Sequence, residues 1–428
     1  MTSVLVIGLL VGLAIGLPIS IVMGVVSLVS FLVEGTLPLA VLPQRLFAGV
    51  NSFPIMAIPF FILAADLMSG GFLTDSLIRL SNDLVGHITG GLGHVNVLVS
   101  MFFAGISGSA LADAAGPGAV EMTMMRNAGY DPYYSGALSA ATSVIAPIIP
   151  PSIIMVMYAL SEGRTTVTGL FLAGIVPGVL LGAALMAANH VISVRHNYQF
   201  ASKRASLGTV ARSFLAALPA LMMPLIILGG ILGGIFTPTE ASSVAVAYGL
   251  VLGLATRNLK LKDVPKIFLR SALMTSSVLL LVSMGSAFSW ALTFAQVPQR
   301  AAQWMLQLSN SRIGILALIA IVSTVSGMFI DTLPAVIILT PVLGPVAAKV
   351  GIPPLQAAMV IVLCLAVGML TPPVAPLLFV VSTVGRLKLE RLAVATIPLI
   401  LVELAVVVLV ILIPDLSVAL PRMLGYLR

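Results

Sequence analysis

Residues 357–384 read AAMVIVLCLAVGMLTPPVAPLLFVVSTV, without one charged side chain. A helix needs ~20 apolar residues to cross the hydrocarbon layer of a bilayer, and this stretch exceeds that. Backbone groups in lipid must be satisfied internally, which leaves helices or closed barrels. Barrel strands would alternate in polarity and be about half as long. The stretch is therefore a membrane helix. It is also a broken one, because Pro372-Pro373 removes two amide donors and crowds the preceding turn.

Similar apolar runs occupy residues 4–33, 55–68, 214–235, 272–295 and 392–413. Only 8% of the 428 residues are charged and 59% are hydrophobic, whereas soluble domains carry roughly 25% charged residues. The first run is longer than a ~7–15-residue leader core and begins without a basic cluster, so it is expected to stay as a membrane helix. A net charge of +7 in a soluble chain would suggest nucleic acid. Here the basic residues gather between apolar runs, which is a topology signal, and no nucleic-acid partner is expected. Cys364 is the only cysteine, so no disulfide framework or thiolate metal site forms. The four histidines, His87, His94, His190 and His196, lack paired metal spacing and are read as interfacial or loop residues. No glycine-rich phosphate loop with lysine occurs, and no catalytic grouping, so the chain is read as neither an ATPase nor another enzyme.

Basic clusters orient the chain. Residues 195–212, residues 257–270 and the group Arg386, Lys388 and Arg391 are expected on the cytoplasmic side. Between residues 270 and 386 the number of crossings must then be even. Residues 313–349, interrupted at Ser326-Gly327 and by Pro334, Pro341 and Pro345, are accordingly read as a hairpin that enters and leaves by one face. Residues 93–129, interrupted at Ser107-Gly108-Ser109 and Gly116-Pro117-Gly118, read as a second such hairpin, opening to the cytoplasm. Nine crossings and two hairpins follow, with the N-terminus inside.

The halves also repeat. Ile106-Ser107-Gly108 recurs as Val325-Ser326-Gly327, and Gly129 matches Gly351. Twenty-one residues past each glycine stands a proline pair, Pro150-Pro151 and Pro372-Pro373, followed by Pro177 and Pro398. Inverted repeats with interrupted helices at matching positions point to a transport site at the membrane midplane. Carbonyls freed at the breaks suit a cation such as sodium, and the helix start after each hairpin tip suits an anion. Asp113 and Asp331 each follow a tip, where they would cap or complement the second helix; a direct ion or proton role is the alternative. Thr237-Pro238-Thr239-Glu240 has the form of a capping box. Asp66 reads as interfacial near a helix end, and Trp290 and Trp304 as interface anchors. Residues 73–87 and 298–312 are amphipathic and would lie along the inner and outer surfaces.

The fold expected is an all-α polytopic membrane protein with inverted repeats, two re-entrant hairpins and broken helices. Residues 1–92 form a first scaffold part and 93–194 the first transport repeat, with its hairpin at 93–130. Residues 195–311 form the second scaffold part, and 312–428 the second transport repeat, with its hairpin at 312–350.

The stretch Gly233-Gly234-Ile235-Phe236-Thr237-Pro238-Thr239-Glu240-Ala241, the tip Ser107 to Asp113, Ile149-Pro150-Pro151-Ser152 and Thr371-Pro372-Pro373 together resemble the large membrane subunit of tripartite ATP-independent periplasmic (TRAP) transporters. The resemblance covers essentially the whole chain. It implies an elevator-type, sodium-driven importer of small organic anions in the bacterial inner membrane. It also implies a separate small four-helix membrane subunit and a periplasmic substrate-binding protein as partners. Carried over by motif position, one sodium site would use Ser107, Gly108, Ile149 and Pro150, and another Ser326, Gly327, Gly368 and Thr371. Substrate would sit near Ser109, Ser152 and Pro372. The rivals are a stand-alone proton-coupled or exchange carrier and, from another class, a membrane scaffold or intramembrane enzyme. Substrate identity is not legible.

Overall fold

Asp131 and Pro132 start one half of the fold. The Asp131 carboxylate accepts the amides of Tyr133 and Tyr134 at 2.9 and 2.8 Å, and Pro132 sits at the first helical position, where no donor is missed. The helix Pro132–Ser143 follows. In the other half Pro353 precedes the helix Pro354–Gly368, and the glycines of the two turns, Gly129 and Gly351, both adopt left-handed backbone at φ 86° and 69°. Each helix then breaks at its proline pair, and both pairs are cis. The chain resumes as Ile153–Glu162 and Pro376–Gly385. A long helix closes each half, Val167–Arg195 around Pro177 and Leu389–Leu412 around Pro398.

The computed structural model describes all residues except 36–37, 69–70, 199–202 and 427–428, and omits the side chains of 71 and 72. Part of the basic loop 195–212 therefore lies outside the described residues. Among those described there is helix and no strand. Seven of the described helices are long and apolar enough to cross a membrane.

The hairpins precede the broken helices. The first comprises Gly91–Ser107, Ala110–Ala115 and Pro117–Asn127. The second comprises Arg312–Phe329 and Thr332–Lys349. Packing between the halves is reciprocal: Ile153–Glu162 lies on Thr332–Lys349, while Pro376–Gly385 lies on Ala110–Ala115 and Pro117–Asn127. Such an exchange is what two inverted copies sharing one core produce.

The C-terminal helix Asp415–Met423 packs on Val167–Arg195 and Pro354–Gly368, and the other helices form a frame. Val264–Phe294 packs on Ile19–Glu34, Val41–Val50 and Ala57–Met68. Val41–Val50 and Phe53–Met68 meet at a 55° bend. Pro238–Ala255 packs on Ala57–Met68 and begins with the expected capping box, both bonds present. The two amphipathic helices, Gly71–Val85 and Val297–Leu308, each bridge frame and hairpin. The first packs on Leu207–Leu232 and Gly91–Ser107, the second on Val264–Phe294 and Thr332–Lys349.

Three expectations need correction. The second hairpin does not turn at Ser326-Gly327: the helix runs on to Phe329, and the break falls at Ile330-Asp331. Gly327 serves close packing rather than a turn. Pro334, Pro341 and Pro345 do not interrupt Thr332–Lys349, since packed neighbours allow prolines in buried membrane helices. His94 is no loop residue: it is buried in Gly91–Ser107, its ring 6.1 Å from that of His190.

Candidate functional site

The first tip is built by Gly108. Its backbone is left-handed, φ 60°, and ends the helix that Ser107 completes. A Cβ here would stand 2.7 Å from the Pro151 carbonyl oxygen and 3.2 Å from Ser152 Cα. Only glycine lets the tip press onto the proline break. Ser109 then caps the next helix, its hydroxyl accepting the Ala112 amide at 3.4 Å. Ser107, Gly108 and the Ile149-Pro150-Pro151-Ser152 break are therefore neighbours. Pro151 has no amide for the Pro147 carbonyl one turn back, and the Ser152 hydroxyl supplies the donor instead, at 2.7 Å.

The second hairpin repeats the contact by another route, before its tip. A Cβ on Gly368 would stand 2.7 Å from Gly327 Cα and 2.5 Å from the Thr324 carbonyl oxygen. Past the proline pair, Ala375 donates its amide to the Met328 carbonyl at 3.0 Å, tying break to hairpin. The Ser326 hydroxyl donates to the Val322 carbonyl at 2.8 Å, and Thr371 to the Val367 carbonyl at 2.8 Å. Asp331 is the cap of Thr332–Lys349, its carboxylate accepting the Thr332 amide at 2.7 Å. The capping role expected for it is what the structure contains. Asp113 is fully buried one turn past the first tip and accepts a bond from the Ser100 hydroxyl at 2.9 Å.

Both tips face one cavity of about 360 Å³. Ser109 and Ala112 line it from the first hairpin, Asp331 and Thr332 from the second, Ile153 and Met369 from the two broken helices. Frame residues Arg270, Met274 and Val278 form the facing wall. Of the three residues expected near substrate, Ser109 lines this cavity. Ser152 is buried behind it, its hydroxyl spent on Pro147. Pro372 is exposed and is not part of the lining.

Several polar groups carry no signal in the sequence. Asn96 donates to the Ser139 hydroxyl and accepts from Thr142, both at 2.6 Å, joining hairpin to broken helix. Asn189 accepts from the Tyr134 hydroxyl at 2.8 Å and donates to the Gly90 carbonyl at 3.1 Å. In the sequence Arg270 is one of the basic cluster that sets topology, and nothing in its spacing sets it apart from Lys262 or Lys266. An Asp directly before a helical run, as at Asp331-Thr332, is by contrast a readable start signal, and it would have moved the second tip.

A likeness to known proteins spans the length of the chain. In fold it is similar to the YdaH transporter of Alcanivorax borkumensis, whose crystal structure has an unusual topology; the TM-score is 0.66 at 16% identity, covering 87% of this chain and 88% of that one. In sequence it is 37% identical over 407 residues to the sialic acid TRAP transporter large permease protein SiaM of Vibrio cholerae, covering 94% of each chain. It is 34% identical over 440 residues to the C4-dicarboxylate TRAP transporter large permease protein DctM of Rhodobacter capsulatus, covering 99% of this chain and all of the relative. The family described as tripartite ATP-independent periplasmic transporter, DctM component, matches residues 6–416. The hairpins and broken helices thus belong to a transporter rather than an enzyme, and this chain is a member of the DctM family, the large membrane permeases of TRAP transporters.

Proposed function

We propose that this chain is the translocating subunit of a sodium-coupled secondary importer of small organic anions, working in the bacterial inner membrane. The observation that carries the reading is the single cavity lined by both hairpin tips and both broken helices. A substrate held there touches the two inverted halves at once, as a carrier that alternates between faces requires. The relatives' names support the substrate class, since sialic acids and C4-dicarboxylates are both carboxylates. Two sodium ions would be held by Ser107, Gly108, Ile149 and Pro150 and by Ser326, Gly327, Gly368 and Thr371. The fit lies in the donor set: each group offers carbonyl and hydroxyl oxygens, which hard cations take, where glycine brings backbone to backbone. The hairpins and broken helices would move as one elevator body against the frame, braced by the two amphipathic helices. Substrate would arrive from a periplasmic binding protein, with a small four-helix membrane subunit as the third component.

The test is uptake of labelled anions by proteoliposomes. With the small subunit and loaded binding protein present, an inward sodium gradient should drive accumulation, and its removal should abolish it. Equal uptake by this chain alone, driven by a proton gradient or by exchange, would instead establish the stand-alone carrier.

A further inference from the structure

The wall of the shared cavity that belongs to the frame carries one basic side chain among the described lining residues, Arg270. With Met274 and Val278 it forms a stripe at i, i+4 and i+8 on Val264–Phe294, running about 12 Å along the helix. The stripe begins at the basic end, next to Lys262 and Lys266, so the cavity reaches from that end inward to the tips. Arg270 also lines a second cavity of about 380 Å³, together with Ser107 and Asp66. Its ion pair is long: Nε stands 3.9 Å from Asp66 Oδ1, while Asp66 Oδ2 accepts the Ser271 hydroxyl at 2.6 Å. Among the described residues the guanidinium fork has no other partner, and the Arg270 side chain is 74% exposed.

A residue that served topology alone would have no cause to line the space between both tips. The geometry points to Arg270 as an anion-binding residue of the frame, which pairs with the carboxylate of a small organic anion as the anion leaves on the cytoplasmic side. The inference rests on the anion-import reading above. A guanidinium meets a carboxylate through two parallel N–H bonds. The carboxylate would lie at the Arg270 end of the cavity, away from the Asp331 carboxyl group on the second hairpin. Because the frame does not travel with the tips, this contact forms only when the cavity faces the cytoplasm.

The test uses the full chain in inverted membrane vesicles with sodium present, carrying Met274→Cys in a Cys364→Ser background. Labelling of Cys at this cavity position by N-ethylmaleimide is followed with succinate, N-acetylneuraminate, gluconate or uncharged succinamide added. At least one anion should slow labelling, and succinamide should not. Arg270→Gln should raise the half-protecting concentration about tenfold, the low end for a charged hydrogen bond because the site is solvated; Arg270→Lys should fall between. Asp66→Asn should leave protection intact or strengthen it. If Arg270→Gln changes nothing, or if Asp66→Asn weakens protection equally, Arg270 does not contact the anion. If no anion protects the Arg270 protein, the anion reading fails and this inference falls with it.

Discussion

Gly327 in the second hairpin and Gly368 in the second broken helix meet backbone against backbone, with a Cβ on Gly368 placed 2.7 Å from Gly327 Cα. Neither glycine turns the chain; both are inside helices. Each lacks a side chain because the other helix occupies that space. The counterpart at the first tip, Gly108 against the Pro151 carbonyl, combines closeness with a left-handed turn.

Gly368→Ala should therefore overpack a contact made of main chain on both sides, which cannot yield as a side chain would. The expected loss is about 1–3 kcal/mol of stability, read by reversible unfolding in mixed micelles. Gly229, helical with nothing within 4 Å of an added Cβ, is the comparison: Gly229→Ala should gain up to about 1 kcal/mol. A Gly368→Ala protein as stable as its parent would mean that the two helices can separate freely.

The Asn96 side chain bonds both Ser139 and Thr142 in a buried site. In water-soluble cores an orphaned pair costs about 1–3 kcal/mol, but membrane double-mutant cycles average about 0.6. Asn96→Leu removes both bonds at similar volume and should cost roughly 1 kcal/mol, with Asn96→Leu and Ser139→Ala clearly non-additive. Strict additivity in the cycle would remove the bond from the fold's supports.

Topology is checked by thiol labelling in intact cells. Cys364 is fully buried, and Cys364→Ser gives a silent background. A cysteine at Lys203 or Lys388 should resist an impermeant reagent, and one at Lys349, the last residue of the second hairpin, should react from outside. Shielding of a cysteine at position 349, like that at 388, would mean that the segment crosses the membrane and is not a hairpin.

The features legible in the sequence were those where one residue dictates its own backbone. Pro150-Pro151, Pro372-Pro373, Gly129 and Gly351 break or turn the chain wherever they occur, so the repeat and the broken helices could be read directly. Gly327 misled because a glycine can mark a turn or a close contact, and only the position of Gly368 distinguishes them. The first tip at Ser107-Gly108-Ser109 could be read because a serine-glycine break is local chemistry. Arg270 could not, because its significance depends on which helix faces the tips. The Asn96 bonds join residues 43 and 46 positions apart, a separation at which polar residues in apolar runs carry no local pattern.

Thr371 decides how the second break works. Its hydroxyl donates to the Val367 carbonyl one turn back, at 2.8 Å, which accounts for the hydrogen and leaves the oxygen's lone pairs. A hydroxyl whose proton is held this way is oriented to accept a cation, so the bond and a sodium contact are compatible. Thr371→Val keeps the shape and removes both. If only the internal bond matters, stability falls slightly and the sodium dependence of uptake stays where it was. If the oxygen also completes a sodium shell, the loss of one neutral ligand costs on the order of 1–3 kcal/mol. At ~1.4 kcal/mol per decade, half-maximal sodium then rises roughly ten- to hundredfold. Thr371→Ser restores the oxygen and should return the midpoint close to that of the parent. The expected outcome is a raised midpoint in the valine protein and rescue by serine, measured as uptake against sodium at matched reconstitution. A valine protein with the parental midpoint would take Thr371 out of the ion site and leave it as a helix-terminating hydroxyl.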